Sequence, residues 1–168
     1  MAILQKTDFA EGEFSIPQNQ YTKLDKFISK YEEYYLLRML GLDLYNTFKA
    51  DLTPTTPQIP ITLIYTTIFN KLSFEEGNCL YISEGIKEML IQFVYYHFML
   101  ESEYKKTISG VVKQESELAT NQKYEGFNLI SSHNNGVKNY NIIQNYINFN
   151  SDIYPTFKGV NLYYSSGI

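Results

Sequence analysis

The stretch Tyr81–Lys106, YISEGIKEMLIQFVYYHFMLESEYKK, constrains this chain more than any other. Apolar residues recur at Ile82, Ile86, Met89, Leu90, Phe93, Val94, Phe98 and Leu100, with His97 in the same register. That spacing is helical, and a helix apolar nearly all round has to be buried. Ser83 is a candidate N-cap. Glu84 and Glu88 in the first turns and Lys105 and Lys106 in the last suit the helix dipole. The uncharged run Met89–Leu100 is too short for a bilayer core, which needs roughly 20 apolar residues. The stretch therefore reads as the central helix of a soluble, mainly α bundle of three to five helices. Its expected core is Tyr35, Leu36 and Leu40 from a preceding helix, with Ile86, Leu90, Phe93, Val94 and His97.

The flanking segments supply the partners. After Pro17, Leu24, Phe27, Ile28, Tyr31, Tyr34, Tyr35 and Met39 make a helical stripe, widened by Leu36, Leu37 and Leu40. Gly41 is a C-cap or kink, and residues 42–52 read as a further short helix. Pro54, Pro57 and Pro60 make a loop. Ile61–Leu72 reads as a short amphipathic helix, and Ser73–Leu80 as a turn around Gly77–Asn78. Upstream, Ile3 and Leu4 are placed to dock on the body.

After the central helix the character changes. Thr107–Gln114, with β-branched Ile108, Val111 and Val112 and a bend at Gly110, reads as an extended arm or one strand of a ribbon. A third long helix is expected over Ser116–Asn150. Asn134–Asn135–Gly136 lies inside it, and Gly costs about 1 kcal/mol against Ala in a helix, so two shorter helices are an open alternative. Residues 151–168 read as an extended tail with one possible strand at Val160–Tyr164. The division is a helical domain over 1–150, with its arm at 107–115, and a tail over 151–168. The tail is expected to add contacts rather than core, so that its deletion from Pro155 leaves the subunit folded.

A search for chemistry returns little. At 168 residues the chain is most simply one domain, and Cys79 is the lone cysteine, so no internal disulfide can form. The sequence carries no HExxH, CxxC, GxGxxG or P-loop pattern. His97 reads as a hydrogen-bonded core residue, His133 as exposed, and Cys79 as a buried or inert thiol. Glu101 and Glu103, two apart, do not share a helix face. The expectation is no enzyme, no metal and no cofactor. The net charge of −4 without a basic block argues against strong nucleic-acid or anionic-membrane binding. The N-terminus lacks the basic-then-apolar layout of a signal peptide. The 16 tyrosines suit half-buried surfaces and interfaces.

Three blocks carry a resemblance. YEEYYLLRMLGLDLYNTF is similar to the pattern E-x-x-Y-L-x-x-x-L-G-x-x-L-Y, filled here by Glu32, Tyr35, Leu36, Leu40, Gly41, Leu44 and Tyr45. YISEGIKEMLIQFVYYHFM is similar to Y-x-x-G-I-x-x-x-L-x-x-F-V-Y-F, and TISGVV to a T-x-x-G-V-V arm directly after that helix. In order and spacing the chain resembles the head–tail connector (adaptor) proteins of tailed bacteriophages of Bacteroidetes-like hosts. The resemblance implies a structural virion protein at the head–tail interface, made in the host cytoplasm. Such adaptors form a homo-oligomeric, dodecameric ring that binds the portal protein and further tail or ring proteins, with DNA passing through without sequence-specific binding. It implies interface roles for Thr107, Ile108, Gly110, Val111 and Val112 in the arm, and for Pro155, Phe157, Val160, Leu162, Tyr163 and Tyr164 in the tail. An acidic channel wall would let DNA slide. The readings set against it are a small helical binding module or regulator outside any virion, and an enzyme with an unrecognised site near His97.

Overall fold

The computed structural model describes residues 2–107, 110–113 and 122–164, with side chains described outside 102–128. It is a helical bundle built on one contiguous core. Helix α1 (Tyr21–Leu40) buries Leu24, Ile28, Tyr31, Tyr35, Leu36, Met39 and Leu40 along one face. Tyr34 and Leu37 lie outside that stripe and are exposed. Gly41 ends the helix at φ +75°, which a side chain rarely adopts, and turns the chain into α2 (Leu42–Ala50). The proline loop follows, and Asp51 holds its far end by accepting the amides of Ile61 and Thr62 at 2.8 and 2.9 Å. Helix α3 (Leu63–Phe69) is shorter than the apolar spacing suggests.

The chain then makes a β-hairpin where the sequence reading has a turn and the first residues of the central helix. β1 (Leu72–Glu76) pairs antiparallel with β2 (Cys79–Ser83) across Gly77–Asn78. Gly77 has φ +62° at the first turn position, the pattern of a II′ hairpin turn. Tyr81 and Ile82 therefore belong to a strand. The central helix α4 spans Gly85–Glu103, and Ser83 stands two residues ahead of it. Ser83 Oγ accepts the Gly85 amide at 3.1 Å and donates to Asn139 Oδ1 at 3.1 Å. At the other end Lys105 and Lys106 are not in the last helical turn. They lie in β3 (Tyr104–Thr107), which pairs antiparallel with β4 (Gly110–Lys113) in a two-stranded ribbon.

Helix α5 (Gln122–Phe149) runs unbroken through Asn134–Asn135–Gly136, which resolves the open alternative in favour of one helix. The expected start at Ser116 lies outside the described residues. α4 packs between α1 and α5, with α3 against its side. The layers meet at Phe93, fully buried, whose ring stacks on Tyr35 at 3.8 Å and 4°. A Cβ at Gly136 would stand 2.9 Å from the Phe93 ring, so glycine there lets α5 approach α4. Beside this contact runs a buried polar chain. Asn139 accepts from Ser83 and from the Glu84 amide and donates to Gln92 Oε1 at 3.1 Å, and Ser132 donates to the Gln92 carbonyl. With its polar atoms paired, the chain fixes the register of α4 on α5.

The tail has no strand among its described residues. It is docked: Tyr154 is buried and its hydroxyl donates to the Ile64 carbonyl at 2.6 Å, while Phe157 and Leu162 pack against the core. The Lys158 and Val160 amides donate to the Leu40 and Arg38 carbonyls at 3.3 and 2.8 Å, satisfying the C-terminal end of α1. Tyr140, Asn141 and Gln144 of α5 hold the same segment from the other side. A Cβ on Gly159 would lie 1.9 Å from the Met39 carbonyl oxygen. Tyr154–Leu162 is thus part of the packing, which corrects the expectation that the tail adds contacts rather than core.

Candidate interface elements and the histidine cluster

Three surfaces are candidates for contact. The ribbon continues α4 directly and places Thr107 opposite Gly110 at its tip, with Val111 and Val112 in β4. Ile108 lies outside the described residues. In the tail, Phe157 and Leu162 are half-buried against the core, whereas Pro155, Val160, Tyr163 and Tyr164 face solvent, Tyr163 with 86% of its surface exposed.

The third surface is one the sequence reading missed. The hairpin pairs place Leu72, Phe74, Tyr81 and Ser83 on its inner face, where Phe74 meets Tyr146 and Phe149 of α5. The outer face carries Ser73, Glu75, Leu80 and Ile82, all exposed. Beside β2 an open groove of about 430 Å³ runs between Leu80–Ile82 and Ile142, with Tyr164 at its rim. The signal was present in part, as alternation in Leu72–Glu75 before the Gly77–Asn78 turn and a continuous apolar run in Cys79–Ile82 after it. It was hidden because Ile82 also falls on the helical stripe of α4.

Of the expected core, Tyr35, Leu36, Leu40, Ile86, Leu90, Phe93 and Val94 are buried. His97 is only half-buried, at the edge. Its Nε2 lies 2.7 Å from the Tyr35 hydroxyl and its ring stacks on Tyr31 at 3.8 Å and 4°. His133, expected to be exposed, is half-buried against Tyr96 and Phe93. Cys79, read as buried or inert, is exposed at the start of β2. Among the described residues no group of three or more His, Cys, Asp or Glu side chains could hold a metal, and no helix is long and apolar enough to cross a membrane.

Glu32 is buried, and its Oε1 accepts the Leu4 amide. That bond anchors the N-terminal segment, whose Ile3 and Leu4 are buried. Burial lifts the Glu32 carboxyl to about 7, and burial with the charges of His133 and Lys30 presses His97 down to about 4. The two act on stability in opposite directions. Glu32 takes up a proton on folding, so its contribution falls as pH rises from 4.5 to 7. His97 sheds one, so its contribution grows from pH 4 to 6.5. The Glu32 contribution is worth on the order of 3 kcal/mol, and that of the half-buried His97 is smaller because solvent screens it. Glu88 is raised like Glu32, and His133 lowered like His97, both by burial. The wild-type profile is therefore expected to be shallow between pH 4.5 and 6.5. Urea unfolding of Glu32→Gln should show stability climbing over that range, and His97→Gln should show it falling. Parallel profiles for the two variants would remove the buried charges from the account.

No family model matches this chain, and neither a curated protein nor a solved structure is significantly similar to it.

Proposed function

We propose that the chain is a structural virion protein: a head–tail connector subunit that assembles into a ring beneath the portal, joins it to the tail and lines the DNA channel. It acts by binding rather than catalysis. The observation that carries this reading is the ribbon β3–β4, which follows the buried central helix without a linker. It falls where the resemblance expects an arm, directly after the helix of the second block. The solvent-facing part of the tail offers a second contact, through Tyr163 and Tyr164. Rings need two different patches on each subunit that meet head to tail.

The test is native mass, for the purified chain alone and then mixed with the portal protein encoded beside it. A complex holding as many copies of this chain as of portal is the expected result. A monomer or small dimer throughout, with no portal complex, would move the assignment to a helical binding module outside a virion.

A further inference from the structure

We propose that Ala2–Gln5 is a pH-released strap: it stays docked on the bundle while the Glu32 carboxyl carries a proton, and it opens increasingly as that proton is lost. Glu32 lies on the buried face of α1 with 1% of its surface exposed. Its Oε1 accepts the Leu4 amide, whereas Oε2 is buried with no hydrogen-bond partner. Among the described residues no Lys, Arg or His forms an ion pair with it. A carboxylate buried in that way carries a desolvation cost that its neutral form avoids. The strap is what shares its burial: Leu4 bonds it directly, and Ile3 and Leu4 are both buried.

The other contacts of the N-terminal segment mark where it can part. Ala2 donates to Gln58 Oε1 at 2.8 Å and accepts the Gln58 amide at 2.9 Å. An open groove of about 450 Å³ undercuts Leu4 and Gln5, between them and Asp25, Ile28 and Ser29 of α1. Beyond Gln5 the chain is anchored. Phe9 is fully buried and its carbonyl accepts the Ile16 amide at 2.8 Å, while Asp8 pairs with Lys87 of α4 at 2.7 Å. Opening therefore pivots at the single 3-10 turn Lys6–Phe9 and leaves the helices in place.

The charges around Glu32 set the direction. Burial outweighs the Leu4 amide, the positive amino terminus and the neighbouring Ile3 amide, which favour the ionised form, and Asp8 adds repulsion, so the carboxyl is lifted to about 7. On α2, Tyr45 faces Glu32, and its hydroxyl donates to Glu33. On α4, Lys87 and Glu88 lie around Asp8. In the open strap the carboxyl meets water and returns to the ordinary carboxylate range. The open form thus holds the proton less tightly. Opening grows by up to about tenfold per pH unit above that range and levels off near pH 7.

The experiment is amide hydrogen exchange of the full chain, followed by NMR between pH 5 and 7 and corrected for the intrinsic pH dependence of exchange. That window ends before the amino terminus loses its proton. Protection of the Leu4 amide should fall at least tenfold more than that of the amides of Met89–Val94 in α4. Glu32→Gln keeps an acceptor for the Leu4 amide, and in that chain the difference should vanish. Should Glu32→Gln fail to fold, the carboxyl carbon of Glu32 in the wild-type chain gives the second readout, and it should titrate near pH 7. A Leu4 amide that follows the α4 amides would mean that the strap opens only when the bundle unfolds, and would overturn the proposal. So would a wild-type pH profile in Glu32→Gln, or a Glu32 carboxyl that titrates in the ordinary range.

Discussion

Phe93→Ala is expected to lower the free energy of unfolding by about 3–5 kcal/mol, the usual range for truncating a buried aromatic side chain. Few residues in the chain have so little room to adjust. The ring is fully buried, lies parallel to Tyr35 at 3.8 Å, and meets Tyr140 and His133 edge-on. Its other neighbour is the bare backbone of Gly136, so three helices converge on it. The contact predicts a change of sign. Gly136→Ala alone gains about 1 kcal/mol of helix propensity but drives a methyl into the ring, an overpacking that costs about 1–3 kcal/mol. In the Phe93→Ala background the clash is gone, so Gly136→Ala should become stabilising. Urea denaturation of the four chains measures this coupling. Additive effects would mean that Gly136 is not held open by Phe93.

What the sequence made legible follows from period and spacing. The stripe from Leu24 to Leu40, the break at Gly41 and the buried face of α4 repeat often enough for the helical period to show. The ribbon was legible because β-branched residues around Gly110 follow a polar helix end. The hairpin was not, because Ile82 satisfies both the strand alternation of β2 and the stripe of α4; periodicity alone could not choose between them. The burial of Glu32 was not legible either, because its carboxylate is satisfied by the Leu4 amide, 28 positions away in the chain. Long-range pairing of that kind leaves no local pattern. The candidate interface divides in the same way. The arm could be read from its own residues, but the exposed outer face of the hairpin appears only once β1 and β2 are paired.

The tail gives the other large effect. Ending the chain after Asp152 is expected to cost about 4 kcal/mol or more, because it removes Tyr154, a buried aromatic whose hydroxyl is bonded to the Ile64 carbonyl. Ending it after Tyr154 spares that ring but strips Phe157 and Leu162 from the core. It also frees the Leu40 and Arg38 carbonyls and takes the Val160 carbonyl from Tyr140 and Gln144. Water can replace part of that bonding once the segment is gone, so about 2–3 kcal/mol is the expected loss. Gly159→Ala should approach the same value without removing any residue, since its methyl would occupy the space of the Met39 carbonyl oxygen and push the segment off α1. Tyr163→Ala, at a side chain left in solvent, should stay within about 0.5 kcal/mol of wild type. Thermal and urea unfolding of the four chains would rank them. If the truncation after Tyr154 matched wild type while Gly159→Ala fell, the steric argument would survive and the capping argument would not. If both matched wild type, Lys158–Leu162 would not be clamped between α1 and α5 in solution, and the whole tail would be free for a partner. The expected ranking instead divides the tail in two, with Tyr154–Leu162 closing the bundle and Tyr163 and Tyr164 left as the part that faces outward.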